Sequence, residues 1–122
     1  MALLNYSANT KTLQVNVTGW KQVQALSNDR VFVHTDGKLC KIVVNGTFST
    51  STSAGDFDLG TIDSAYQPAD NYSTNFQRNT VNYFPVYITK NDTIVHLYKN
   101  TTSSANINSF CTLLYPLKTP LY

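Results

Sequence analysis

His34 and Asp36 place an imidazole and a carboxylate two residues apart in the chain. In an extended strand both side chains would point to the same face, where they could hydrogen-bond the hydroxyl groups of a ligand such as a sugar. The simpler interpretation is that Asp36 only makes a turn with Gly37 and that His34 is a surface residue. We favour the simpler interpretation and keep both residues as candidates for binding.

A second group of candidates lies between residues 63 and 79, the longest stretch without a strand pattern. Asp70, Tyr72 and Arg78 belong to this group, because aromatic and charged residues in a loop suggest binding more than those in a strand. Arg78 could donate two parallel hydrogen bonds to a phosphate or uronate group. Trp20, the only tryptophan, could stack on a sugar ring, although packing against the sheet in the core is the better interpretation.

The carboxylates give little support for metal binding or catalysis. Asp56, Asp58 and Asp63 do not follow the spacing of a calcium loop, and we expect neither a metal nor a cofactor. The chain has no Glu, which excludes a glycosidase pair containing Glu but not a pair of Asp residues. No nucleophile motif or P-loop is present, so we predict that the protein is not an enzyme. His96, within an alternating strand pattern, is predicted to be structural.

Charge and cysteine content narrow the possible partners. The net charge is +2 and no run of Lys or Arg occurs, so we expect no nucleic-acid partner. No apolar stretch reaches the roughly 18 residues that a membrane span needs, so we expect no membrane association. Cys40 and Cys111 each lie in a strand-like run, which favours free, buried thiols and leaves a disulfide open.

The elements that must position these residues are predicted to be strands. Thr, Asn and Ser make up 39 of 122 residues, and helix formers such as Glu are rare or absent. Two hairpin dipeptides, Asp36 with Gly37 and Asn45 with Gly46, predict a three-stranded meander over residues 31–52, the first through a type I′ turn. Further strands are predicted by alternation at residues 13–17, 20–26, 56–62, 80–88, 93–98 and 107–115.

This pattern predicts an all-β fold, an antiparallel, jelly-roll-like β-sandwich of about eight or nine strands. Residues 1–12 are polar and show no alternation, so we expect them to form a linker or an N-terminal extension. Residues 13–122 are then a single β-sandwich head domain, which is a usual length for one domain.

One stretch has a more specific pattern. Gly46-Thr-Phe48, Gly55-Asp-Phe-Asp-Leu-Gly-Thr-Ile62 and Ala65-Tyr-Gln-Pro68 occur in that order. Together they resemble the C-terminal β-sandwich domain of tailed-phage receptor-binding and baseplate (tail-fibre) proteins of Gram-positive hosts. The resemblance covers roughly residues 18–117. Asp63 and Ser64 stand where the family usually has Pro-Glu or Pro-Ala, and Gln67 replaces the usual Arg.

The resemblance implies a phage adhesion module that binds host cell-surface saccharide non-covalently. It also implies a homotrimer, located in the virion at the tail tip or baseplate and therefore extracellular when it acts. An alternative is a structural scaffold of the same fold that binds neighbouring tail or baseplate proteins. A tail-borne depolymerase is a third interpretation, from a different functional class.

Overall fold

The computed structural model describes residues 2–7, 12–17, 19–74 and 84–122. Within these ranges the chain forms ten strands, all paired antiparallel, and one turn of 3-10 helix at Ser64–Tyr66. No helix in this part of the chain is long and apolar enough to cross a membrane. The strands are β1 (Ala2–Ser7), β2 (Thr12–Val17), β3 (Lys21–Leu26), β4 (Val31–Thr35), β5 (Leu39–Ser49), β6 (Gly55–Thr61), β7 (Tyr72–Thr74), β8 (Val86–Ile88), β9 (Ile94–Lys99) and β10 (Asn106–Pro116).

Eight of these strands form two four-stranded sheets, which confirms the predicted antiparallel β-sandwich. The first sheet has the order β10-β5-β4-β3 and the second has the order β6-β9-β8-β7. One edge of each sheet meets at Tyr72 of β7 and Tyr115 of β10, whose rings stack with centroids 5.4 Å apart. Strands β1 and β2 form a separate two-stranded sheet.

Alternation along each strand decides which side chains face the space between the two sheets. In β4, Val31 and Val33 are fully buried, whereas Phe32 and His34 are only half-buried on the outer face. Burying one such aliphatic side chain stabilises the fold by about 1.5–3 kcal/mol. The core so formed consists of Val31, Val33, Cys40, Ile42, Val44, Phe48, Leu59, Ile62, Phe84, Val86, Ile88, Val95, Leu97, Ile107, Leu113, Tyr115 and Leu117.

The turn predicted at Asn45 and Gly46 is wrong. Strand β5 runs through both residues, because β10 pairs with it without interruption from Leu39 to Ser49. The glycine serves a close approach instead, since a Cβ at Gly46 would lie 2.9 Å from Cγ of Arg30. A partner strand about sixty residues further along the chain therefore outweighs the local turn signal.

The hairpin predicted at Asp36 and Gly37 is confirmed, and it joins β4 to β5. Its turn is not type I′, because φ is positive at Gly37 (98°) but not at Asp36. The Asp36 carboxylate instead accepts hydrogen bonds from the amides of Lys38 at 2.9 Å and Leu39 at 2.8 Å. These bonds to the ionised form, the one from Leu39 first, hold the pKa of Asp36 below its usual value.

Two strands lie where the sequence predicted none. Strand β1 occupies most of the predicted linker and pairs with all six residues of β2. Strand β7, at Tyr72–Thr74, lies in the predicted loop and pairs with β8. Neither strand was predicted from the alternation of apolar and polar residues, and in β7 three residues are too few to show it. The domain boundary at residue 12 stays a prediction.

Both cysteines are free, as predicted. Cys40 is fully buried in the core, while Cys111 is half-buried. Burial disfavours the charged thiolate and raises the pKa of Cys40 to about 11.

Candidate functional site

The outer face of the second sheet carries a group of polar and aromatic side chains that contact one another. Asp56 lies directly opposite Tyr98, and Asp58 lies opposite His96, across the β6–β9 pairing. Tyr87 lies opposite His96 across the β8–β9 pairing. The residues between them in β8 and β9 are buried, so alternation turns these five outward. We call these five residues the tyrosine face.

The central pair of the tyrosine face is a stack of two rings. The rings of Tyr87 and His96 are nearly parallel, at 11°, with centroids 4.7 Å apart. Tyr87 Oη donates a hydrogen bond to Asp56 Oδ1 at 2.6 Å. His96 Nε2 lies 3.0 Å from Asp92 Oδ2. Each ring is therefore fixed by a carboxylate on its own side, which gives a rigid aromatic surface with acceptors at both ends.

Asp92 connects this stack to the turn between β8 and β9. Its carboxylate accepts hydrogen bonds from the amides of Thr93 at 2.7 Å and Ile94 at 3.2 Å, and from Thr89 Oγ1 at 3.1 Å. The hydrogen bond with His96 is the largest cause that lowers the pKa of Asp92. The carboxylate is thus ionised at neutral pH and holds both the turn and the imidazole.

The phenol of Tyr87 stays protonated over the physiological range. Burial disfavours the phenolate, and the hydrogen bond to Asp56 favours the protonated phenol, so the pKa of Tyr87 rises to about 12. Tyr87 is therefore a hydrogen-bond donor to Asp56, and its ring remains neutral beside the carboxylates.

A cavity of about 230 Å³ lies beside Tyr87 at the β7 edge of this sheet. Tyr72 lines it, together with Asn71, whose side-chain oxygen accepts from the Lys90 amide at 2.7 Å. Asp70 precedes Asn71 and accepts a hydrogen bond from its amide at 2.8 Å. The structure therefore brings two predicted site residues, Asp70 and Tyr72, to this edge of the sheet. Tyr72 lies opposite the buried Ile88 and stacks on Tyr115, so its ring packs against the core and is not part of the tyrosine face.

The remaining predicted site residues lie elsewhere. Trp20 immediately precedes β3 of the first sheet. His34 belongs to β4 of that sheet, where it lies between Gln22 and Lys41 on the outer face. Burial, followed by the nearby charge of Lys41, lowers the pKa of His34. Asp36 is buried and its carboxylate makes the turn between β4 and β5, as the simpler interpretation expects; its role in binding stays a prediction. Arg78 lies outside the described residues.

The expectation that Trp20 packs in the core is wrong. Its side chain is 40% exposed, and Lys41 Nζ lies 4.9 Å from the centroid of its ring. The reason is its position, because it immediately precedes β3, an edge strand, and so has a neighbouring strand on one side only.

Sequence reasoning missed Tyr87, His96 and Tyr98 as site residues. The signal that could have found them is the predicted hairpin between residues 80–88 and 93–98, whose turn at residues 90–92 sets the register. That register places Tyr87 opposite His96, each at an outward position between buried residues. Asp56 could not be found in this way, since it comes from a strand about thirty residues earlier.

Comparison of the chain with models of protein families, with curated proteins and with solved structures finds no match. Within the described ranges, no three His, Cys or acidic side chains are placed to hold a metal ion together.

Proposed function

We propose that this domain is an adhesion module of a tailed-phage tail or baseplate, and that its tyrosine face binds host cell-surface saccharide non-covalently. The observation that carries the proposal is the stack of Tyr87 on His96, fixed by Asp56 and Asp92 on an outer sheet face. The phage context comes from the resemblance of residues 46–68.

The chemistry of the tyrosine face suits a sugar ring. One side of a pyranose exposes C–H groups, which pack on the flat face of an aromatic ring and are thereby removed from water. The hydroxyls at the edge of the sugar need acceptors, and the carboxylate oxygens of Asp58 can accept from them. Tyr98 is 40% exposed next to Asp56, so it offers a ring that a ligand can reach without moving the fold.

The charges of the face favour neutral or amino sugars over acidic ones. Asp56 and Asp58 lie on the face, Asp92 supports it, and Asp70 lies beside the adjoining cavity. An added anionic group about 4 Å from one carboxylate meets a repulsion of roughly 1–4 kcal/mol, depending on its exposure. We therefore expect uronate-containing or phosphate-containing polysaccharides to bind more weakly than neutral ones.

A single shallow site of this kind binds weakly, so adhesion needs several copies. Linked sites gain avidity because the second binding event becomes intramolecular. The homotrimer that the resemblance implies would supply these copies in the virion, at the tail tip or baseplate, where the domain acts outside the cell.

The test is a glycan array followed by titration of purified host cell-wall polysaccharide against three proteins. The wild-type domain should bind, and Tyr98→Ala should bind about tenfold more weakly, as expected for the loss of one stacking ring worth about 1–1.5 kcal/mol. Trp20→Ala is the matched control, an exposed aromatic residue of the other sheet, and should bind like the wild type. A loss confined to Trp20→Ala, or no glycan binding by the wild type, would refute the proposal, and release of oligosaccharide would indicate the depolymerase.

The scaffold function is the second candidate, and one observation favours it. The outer face of the first sheet exposes four large apolar side chains: Trp20, Leu39, Phe110 and Leu114. Such a surface suits a protein partner better than a sugar. Capture of neighbouring tail or baseplate proteins from a virion, with no binding to any glycan, would select the scaffold.

A further inference from the structure

The cavity at the β7 edge of the second sheet shares a wall with the tyrosine face. Its volume is about 230 Å³, and all six residues that line it, 71–73 and 87–89, are among the described residues. Tyr87 is the shared wall, because its ring also stacks on the ring of His96. A ligand that lies on the ring stack and extends toward β7 therefore reaches the cavity next.

Pairing across the second sheet places the cavity and the tyrosine face in one row. Ser73 lies opposite Tyr87, Tyr87 lies opposite His96, and His96 lies opposite Asp58. These residues cross four neighbouring strands, so at about 4.8 Å per strand spacing the row is roughly 14 Å long. A row of this length suits a short chain of sugar units that lies across the strands better than it suits a single unit.

The size of the cavity limits it to one unit of such a chain. Pockets that enclose a whole drug-sized ligand measure about 300–1,000 Å³, and this cavity is smaller. Two of the lining residues, Tyr72 and Ile88, pack against the core. The side chains left to meet a ligand are those of Asn71, Ser73, Tyr87 and Thr89.

The polar groups of the cavity are neutral, and two of them are held in place. The side-chain oxygen of Asn71 accepts from the Lys90 amide at 2.7 Å, so its NH₂ group is left to donate to a ligand. Thr89 Oγ1 donates to Asp92 Oδ2 at 3.1 Å, so its lone pairs are left to accept. The hydroxyl of Ser73 can do both.

A ligand group that matches this set needs an acceptor, a donor and an apolar part. An acetamido group has all three, because its carbonyl can accept from Asn71 and its N–H can donate to Thr89 or Ser73. Its methyl group then packs against Tyr87 and is removed from water. A carboxylate in the same place would be repelled by Asp92, which lies directly behind Thr89.

We propose that the cavity is a second sugar subsite that takes an acetamido sugar, while the tyrosine face binds the neighbouring units of the same chain. The ligand then crosses strands β7, β8, β9 and β6 along the row from Ser73 to Asp58. This inference rests on the proposed saccharide function, and it narrows the ligand to a linear chain that contains acetamido sugars.

The test compares two trisaccharides that have the same linkage and differ in one group per unit. Chitotriose carries an acetamido group where cellotriose carries a hydroxyl. In an NMR titration of the wild-type domain we expect chitotriose to bind about tenfold more tightly, the gain expected from about two neutral hydrogen bonds. The backbone amide signals of Asn71 and Ser73 should shift as chitotriose is added.

Two variants and a matched control locate this preference. Asn71→Asp keeps an acceptor for the Lys90 amide and removes the donor to the ligand. Ser73→Leu fills the cavity from an exposed position of β7. Each variant should bind the two trisaccharides with nearly equal affinity. Ser49→Leu makes the same change at an exposed position of β5, in the other sheet, and should keep the tenfold preference.

The possible failures of the subsite and of the saccharide function differ. Equal affinity of the wild type for both trisaccharides, or a preference that survives both variants, would overturn the subsite. Binding of host polysaccharide without binding of chitotriose would also overturn it, and the saccharide function would then stand. A domain that does not bind the polysaccharide at all would refute the proposed function together with the subsite.

Discussion

Lys99 is the one charged side chain that the sandwich buries completely among the described residues. It ends β9, and Nζ donates to the Ser51 carbonyl at 2.6 Å, the Ser104 carbonyl at 3.2 Å and Thr50 Oγ1 at 3.2 Å. The same ammonium lies 5.4 Å from the ring centroid of Phe57. One buried cation thus ties the loop after β5 to the loop before β10.

We predict that Lys99→Met destabilises the fold by about 2–4 kcal/mol. Methionine keeps most of the apolar stem, so the core loses little packing. The two carbonyls lose the ammonium and keep only hydroxyl donors, Thr50 Oγ1 for Ser51 and Ser103 Oγ for Ser104, both at 3.1 Å. Each hydrogen bond to a charged group contributes about 1.5–3 kcal/mol, so losing two of them is destabilising. Part of this loss is offset, because the desolvation penalty of the ammonium disappears with the charge.

The assay is urea unfolding followed by fluorescence, with Lys41→Met as the control. Lys41 is a half-exposed lysine on the outer face, where its contact with Trp20 is worth about 0.5–1 kcal/mol. With a slope of about 1–3 kcal/mol/M for a small protein, Lys99→Met should lower the midpoint by about 1–3 M and leave the slope unchanged. A Lys99→Met midpoint equal to or above that of the control would refute the reasoning. The desolvation of the ammonium would then cost more free energy than its hydrogen bonds contribute.

Three further predictions concern the site and the core. Asp92→Asn should lower the free energy of unfolding by about 1–2 kcal/mol at pH 7. This difference should shrink as pH falls below about 4, because a carboxylate whose pKa is lowered in the folded state stabilises the fold only while it is ionised. Urea midpoints at two pH values measure the difference. Stability should fall by about 2–3 kcal/mol as pH rises from 9 to 11, because burial raises the pKa of Cys40 from 9.0 to about 11, and Cys40→Ala should flatten this part of the profile. Tyr87→Phe should weaken saccharide binding several-fold in calorimetry with little change in the unfolding midpoint, since it releases only the bond to Asp56; unchanged affinity would contradict the assigned site.

The sandwich could be predicted because the apolar residues that alternate with polar ones in the sequence are the residues that the strands bury in the core. Val31 and Val33 in β4, and Val95 and Leu97 in β9, alternate in the sequence and are fully buried in the structure. The expectation fails where a distant partner decides the conformation. Asn45 and Gly46 form a strong turn signal by themselves, but the full-length pairing with β10 keeps β5 extended there.

The candidate site was harder to predict than the fold, because its members come from three strands. Tyr87 and His96 face each other across one hairpin, so local register is sufficient to pair them. Asp56 reaches Tyr87 only because β6 lies on the other side of β9, an arrangement that no local pattern contains. Tyr72, an aromatic residue of the predicted loop, lines the adjoining cavity.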